Sequence, residues 1–368
     1  MKRIVLCCDG TWNTPTQGIP TNVTKTARAV LPAAPDGTAQ VVFYDAGVGT
    51  EGRLLSRFSG GVFGEALTKN VADAYRFLVH NYEDGDEIYL FGFSRGAYTA
   101  RSTVGLLCNV GLLRKMHADR FPEAMAMYRR RDVPPDSYEA ERFRANYSRG
   151  VPPVEFMGVW DTVGPLGIPW RRGLLTVFPF LAAPIWPRED LDFHDVTLSG
   201  IVKHGYHALA IDDTRKPFEP SLWKAPKQGQ VIEQAWFAGV HTDIGGGRED
   251  SGLSDEAFVW MMEKARARGL AFDGEYVSKW VRPDPLGTLH DNGAWDWFDF
   301  LNEPRRIGRA SEASEALHDG VRARLGEKRL AYAPANVLAY LQQHEAGETG
   351  RQQETGETGG SVGDRPDG

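Results

Sequence analysis

Ser94 stands at the centre of Gly92-Phe93-Ser94-Arg95-Gly96, with an apolar run from Ile88 to Phe91 before it and a helical pattern from Arg95 to Cys108 after it. Strand, G-x-S-x-G and helix describe a nucleophile elbow, in which two glycines let the chain turn sharply enough to present a serine hydroxyl at the edge of a sheet. A serine hydroxyl is a poor nucleophile unless an imidazole takes its proton, and the imidazole needs a carboxylate to fix its tautomer and stabilise its charged form. His241 and Asp161 supply those types, each just past an expected strand (Val231 to Val240, Val154 to Trp160). Serine, acid, histidine is also the chain order of α/β-hydrolase triads. Asp243 and Asp212 are alternative acids. Asp161 could instead simply close the turn after its strand, and His241 could be an ordinary loop histidine.

The oxyanion of a tetrahedral intermediate needs backbone donors, normally the amide after the nucleophile and one from the loop after an earlier strand. Arg95 provides the first. Gly10 or Thr11, in the turn after the first strand, is the expected source of the second, with Asp9 holding that turn through hydrogen bonds to its amides. Two other functional classes compete. Asp9, Asp161, His241 and Asp243 offer ligands for magnesium or calcium in a metal-dependent hydrolase, although no spacing demands a metal and no cofactor is expected. An α/β scaffold using the same edge only to bind a partner is the non-enzymatic alternative. No G-x-x-x-x-G-K-[ST] loop occurs, which removes a phosphate-cradling role.

Several elements must position these residues. Arg3 to Cys8 is a buried strand ending at Asp9-Gly10-Thr11. Thr21 to Leu31 is a helix, and Val41 to Tyr44 a second strand, completing a β-α-β unit. The glycine-rich stretch from Asp45 to Gly64 reads as a surface loop, and Leu67 to Tyr82 as a helix. Lys115 to Gly150 is a charged helical insertion broken at Pro134-Pro135. The run from Leu174 to Trp186 is an apolar segment or lid-like flap. Val202 to Ile211 reads as a helix leading to Asp212. A helix after Gly247 has Ser254 as its expected cap, with Asp255 and Glu256 in its first turn. The stretch 284–297 is aromatic and takes no assignment.

Together these give one α/β-hydrolase-like domain over 1–343, a mostly parallel central sheet flanked by helices, with insertions at about 114–150 and 165–200. The Glu-Thr-Gly repeats of 344–368 carry too few apolar side chains to offset the entropy of ordering and read as a disordered tail. The net charge of −7 and the short, compensated basic clusters exclude nucleic acid as the expected partner. Three cysteines, Cys7, Cys8 and Cys108, form no disulfide framework and read as reduced, buried thiols. No apolar run reaches the length of a spanning helix, so a soluble cytoplasmic chain is expected, with export lacking a cleavable signal and peripheral membrane contact both left open. Oligomeric state has no signature in the sequence.

Seven blocks carry a family resemblance: Cys7 to Asn13, Thr21-Asn22-Val23, Tyr44 to Gly49, Gly92 to Arg101, Trp160 to Val163, His207 to Asp212 and Trp236 to Asp243. Together they resemble an uncharacterised α/β-hydrolase family similar to the catalytic domain of type VI secretion phospholipase effectors. The resemblance runs from the first strand to about Trp260. It implies a serine esterase fold, a triad of Ser94, Asp161 and His241, and lipid or other carboxylic ester substrates. The secreted effectors carry a large additional membrane-binding module, whereas about a hundred residues follow the last matching block here.

Overall fold

The computed structural model describes residues 1–10, 18–47, 60–163, 198–291, 302–310 and 314–344. The Leu174 to Trp186 flap, most of the 45–59 loop, Thr11, the 292–297 part of the aromatic stretch and nearly all of the tail lie outside them.

Seven strands form one sheet in the order β2-β1-β3-β4-β5-β6-β7. They are β1 (Lys2–Cys8), β2 (Ala39–Asp45), β3 (Glu87–Phe93), β4 (Val154–Trp160), β5 (Val202–Ala210), β6 (Val231–Phe237) and β7 (Glu315–Leu317). Every pairing is parallel. A parallel sheet covered on both faces needs strands apolar on both sides, and β1 and β3 are buried almost throughout. Alternate residues divide between two cores. Ile4, Leu6, Cys8, Ile88 and Leu90 pack on one face. Val5, Cys7, Tyr89, Phe91 and Phe93 pack on the other. Adjacent Cys7 and Cys8 thus enter opposite cores as free thiols; Cys108, expected buried, is only half-buried.

The first face is covered by α2 (Gly60–Asn81), α3 (Arg95–Val110), α4 (Phe121–Arg129) and α5 (Tyr138–Tyr147). The second is covered by α1 (Asn22–Ala29) and α7 (Gly252–Arg266). Between β6 and α7 lies the short α6 (His241–Gly245). Thr21 caps α1, its hydroxyl accepting from the Thr24 amide. The chain closes with α8 (Gly274–Trp280), α9 (Asp319–Gly326) and a helix over 335–344. The last of these packs with β7 and α9 into a third, smaller core around Trp236, Val321 and Val337.

Three expectations need correction. Val202 to Ala210 is not a helix but β5, in register between β4 and β6. Small and apolar residues mixed with His204 and His207 mimic a helical period, yet His207 is buried among strands. Burial pushes its ring down to about 3, so it is neutral, and its Nε2 accepts the Thr162 amide at 3.1 Å. The loop read as far as Gly64 ends earlier, because α2 begins at Gly60. At α7 the N-cap is Ser251 rather than Ser254; the Ser251 hydroxyl reaches Asp255, and Ser254 bonds back to the Ser251 carbonyl.

Chain direction along the sheet reverses between β1, which leads outward to β2, and β3, from which the chain proceeds through β4, β5 and β6. In open α/β sheets the crevice at such a switch point, outside the carboxyl ends of the strands, is where ligands bind. Asp9 and Ser94 follow the two strands at this point. Gly96 lies so close to β1 that a Cβ there would meet the Cys8 carbonyl oxygen at 2.0 Å and the Asp9 carbonyl oxygen at 2.5 Å. Those are backbone atoms of a central strand and cannot yield. Gly96→Ala is therefore expected to lower stability by about 3 kcal/mol, whereas Gly274→Ala, with open space around it, stays within about 1 kcal/mol of wild type. Equilibrium urea unfolding of both variants measures the contrast.

Candidate active site

Ser94 occupies the turn between β3 and α3 with φ 56° and ψ −120°, a conformation that a residue with a side chain adopts only under constraint. Two close approaches impose it. A Cβ on Gly92 would strike the Ala97 backbone at 2.5 Å, and Gly96 presses on β1 as described. The Ser94 amide donates to the Trp160 carbonyl at 3.1 Å, which ties the turn to the end of β4. The serine is 7 % exposed, and Arg95 opens α3 beside it.

Asp161 follows β4 and also has a left-handed backbone, φ 40°. Its amide donates to Ala208 at 2.8 Å, continuing the ladder to β5. The side chain is wholly buried. Oδ2 accepts His241 Nδ1 at 2.5 Å and Arg305 Nη2 at 3.0 Å; Oδ1 accepts Arg305 Nη1 at 2.6 Å and the Ala210 amide at 3.1 Å. Burial alone would raise the carboxyl, but the Arg305 guanidinium and the His241 ring hold it well below the usual carboxylate range. Asp161 is thus ionised at any working pH, and His241 Nδ1 is the donor in their bond.

His241 is the first residue of α6. Its amide donates to Asp213 Oδ2 at 3.3 Å, and its ring lies between Phe93 (centroids 4.7 Å) and Phe218 (5.2 Å, edge-on). Gly245 lets the short helix settle on Phe93, since a Cβ there would meet the Phe93 ring at 1.9 Å. Phe93 immediately precedes Ser94, so the histidine ring packs, tilted by 34°, against the neighbour of the serine.

The alternative acids are engaged elsewhere. Asp243 caps α6 by accepting the Val240 amide at 3.1 Å, and it accepts His290 Nδ1 at 2.6 Å. Asp212 accepts the Gly239 amide at 2.6 Å and the Tyr332 hydroxyl at 2.9 Å; burial raises its carboxyl to about 6 despite those donors. Asp9 accepts the Gly10 amide at 2.7 Å and the hydroxyls of Thr21, Thr24 and Tyr44 at 2.6, 2.9 and 2.7 Å. It thereby ties the end of β1 to α1 and β2.

Of the residues named for a metal, only Asp161 and His241 come together among the described residues, with Asp213 as third member rather than Asp9 or Asp243. Guanidinium groups already supply positive charge there. Arg305 forks onto both oxygens of Asp161, and Arg215 onto both oxygens of Asp213. Arg305, Asp213, His290 and Phe218 escape sequence reasoning. Arg305 lies 144 residues from Asp161, beside Arg306, with no local pattern to mark it.

The family model described as T6SS, phospholipase effector Tle1-like, catalytic domain matches residues 2–264. An uncharacterized protein of Saccharomyces cerevisiae, YEL023C, is 30 % identical over 239 residues, covering 59 % of this chain and 32 % of that protein. The chain thus spans about a third of that curated relative. A solved structure of an uncharacterized protein from Pseudomonas aeruginosa aligns with TM-score 0.46 and 17 % identity over 77 % of this chain and 49 % of that one. A Tle1 effector bound to the VgrG spike of the type 6 secretion system aligns with TM-score 0.35 and 20 % identity, over 67 % and 51 %. No helix among the described residues is long and apolar enough to cross a membrane.

Asp161 and Asp243 touch different histidines, and this separates them experimentally. Asp161→Asn is expected to cut ester turnover by about 10⁴-fold, by leaving the imidazole in the wrong tautomer, and Asp243→Asn by less than about tenfold. Steady-state kinetics on a chromogenic acyl ester ranks the two. The reverse order would transfer the acid's role to Asp243.

Proposed function

The chain belongs to the Tle1-like phospholipase effector catalytic-domain family, and on that premise we propose that it is a serine hydrolase of carboxylic esters, acting on acyl esters of lipids through an acyl-enzyme on Ser94. The observation that carries this is the 2.5 Å bond from His241 Nδ1 to Asp161, on the same sheet edge as the strained Ser94 and with the His241 ring against Phe93. A buried, ionised carboxylate on Nδ1 leaves Nε2 as the basic nitrogen, which is what a serine nucleophile needs.

In the proposed cycle His241 Nε2 takes the Ser94 proton as Oγ adds to the ester carbonyl, and the imidazolium is stabilised by Asp161. Negative charge on the former carbonyl oxygen is met by the Arg95 amide at the first turn of α3, and by an amide from the turn after β1. The Gly10 amide is directed to Asp9, and Thr11, the other donor expected from that turn, lies outside the described residues. Collapse expels the alcohol, which leaves with the proton from His241. Water, activated by the same histidine, then hydrolyses the acyl-enzyme and releases the acid. Asp9 has no chemical step here; it holds the β1 turn against α1.

The family's lipid substrates supply the substrate class. Turnover of phospholipid and short acyl esters by wild type and Ser94→Ala tests the proposal. Ser94→Ala is expected to lower kcat by at least about 10⁴-fold with its unfolding midpoint preserved. Retained turnover in that variant overturns it.

A further inference from the structure

Resting on the serine-hydrolase reading above, we propose that Arg305 is a positioning residue of the active site, supplied by chain beyond the family's matched domain, which locks the Asp161 carboxylate in place and offsets its charge behind His241.

The matched family region ends at residue 264, and Arg305 lies past it. The residue is nevertheless fully enclosed, with its side chain 3 % exposed, while the adjacent Arg306 is 72 % exposed. Its guanidinium makes two bonds to Asp161 and one each to the Ala210 and Phe218 carbonyls, at 2.8 and 2.6 Å. One carbonyl is at the end of β5, and the other belongs to the residue whose ring packs on His241. A single planar group thus joins the acid, the strand beside it and the wall of the histidine pocket. Asn336 fixes the Arg305 carbonyl in turn, its amide donating at 3.0 Å, and also approaches the Ile211 carbonyl.

This geometry has two consequences for the reaction. Bonds from Arg305 and the Ala210 amide fill Oδ1, and Arg305 shares Oδ2 with His241, so the carboxylate has no freedom to rotate away from Nδ1. The second consequence is electrostatic. Burial disfavours a charged carboxylate, and the permanent cation on its far side offsets that cost, so Asp161 stays ionised behind the ring.

The other charged and titratable groups around the pair, among the described residues, are already engaged. Asp213, which accepts the His241 amide, is forked by Arg215. Asp243 is bound to His290. His207 is buried and neutral beside Thr162, and Arg101 lies near it. Glu219, next to Phe218, pairs with Arg309. Arg305 is the cation in direct contact with Asp161.

The test is the pH profile of kcat/KM for wild type, Arg305→Gln and Arg305→Lys on one soluble acyl ester, with circular dichroism to establish folding. In folded Arg305→Gln, kcat is expected to fall about 10- to 100-fold, the scale for losing an outer partner of a catalytic group, with KM unchanged because Arg305 touches no substrate. The acid limb moves up, because Asp161 loses the cation that favours its charged form. Arg305→Lys keeps the charge and loses the fork, so its limb stays at the wild-type position while kcat drops. A merely structural role would lower the active fraction without moving the limb. Wild-type kcat and profile in folded Arg305→Gln overturn the proposal. If that variant does not fold, Arg305→Lys decides alone: a kcat within about twofold of wild type overturns it. Fluorophosphonate labelling of wild type separates the two layers, since an unreactive wild type refutes the serine mechanism itself, whereas labelled wild type with an unmoved limb refutes only the role of Arg305.

Discussion

Burying an ionised carboxylate is costly unless donors surround it, and the fold meets that requirement at Asp161 with four bonds from three directions. Those donors belong to β5, to α6 and to the segment around 305. Each element is thereby fixed relative to the end of β4. Because Ser94 donates its amide to Trp160, one residue before Asp161, the serine's turn is fixed to the same point. The position of the histidine and the angle of the serine turn both follow from satisfying one buried charge.

The elbow is held from the other side by β1. Gly96 closes α3 onto the Cys8 and Asp9 carbonyls, and Asp9 gathers the Gly10 amide with hydroxyls from α1 and β2. The switch point of the sheet is therefore braced by polar bonds at its open end and by two aromatic and aliphatic cores beneath. Strain in the Ser94 backbone persists only because this framework over-determines it. A positive φ at both Ser94 and Asp161, just past adjacent strands, marks two places where the chain departs from regular geometry to aim a side chain.

Much of this was legible in the sequence, for identifiable reasons. The elbow announces itself because its glycines are demanded by contacts between neighbouring elements, and strands β1, β3 and β4 because parallel strands buried on both faces are near-continuous apolar runs. Strand β5 was not legible, since Gly205, His204 and His207 interrupt its run and their burial depends on β4 and β6. The choice among Asp161, Asp212 and Asp243 was equally beyond the sequence. All three follow strands or caps, and only the packing shows that Asp243 meets His290 and Asp212 meets Tyr332. Arg305 was wholly hidden: it stands beside Arg306 in the chain, and nothing local tells a buried guanidinium from a solvated one. Partners separated by more than a hundred residues are set by tertiary contact, where local propensity is silent.

The central claim is that Ser94 is made nucleophilic by His241 held on Asp161. The most direct measurement is mass spectrometry of the protein after reaction with a fluorophosphonate, with the adduct mapped to its peptide, in wild type and His241→Ala. The account predicts one phosphonyl group per wild-type chain, on Ser94, and none on the His241→Ala protein over the same time. A wild-type adduct on another residue, or equal labelling of Ser94 without His241, would contradict it.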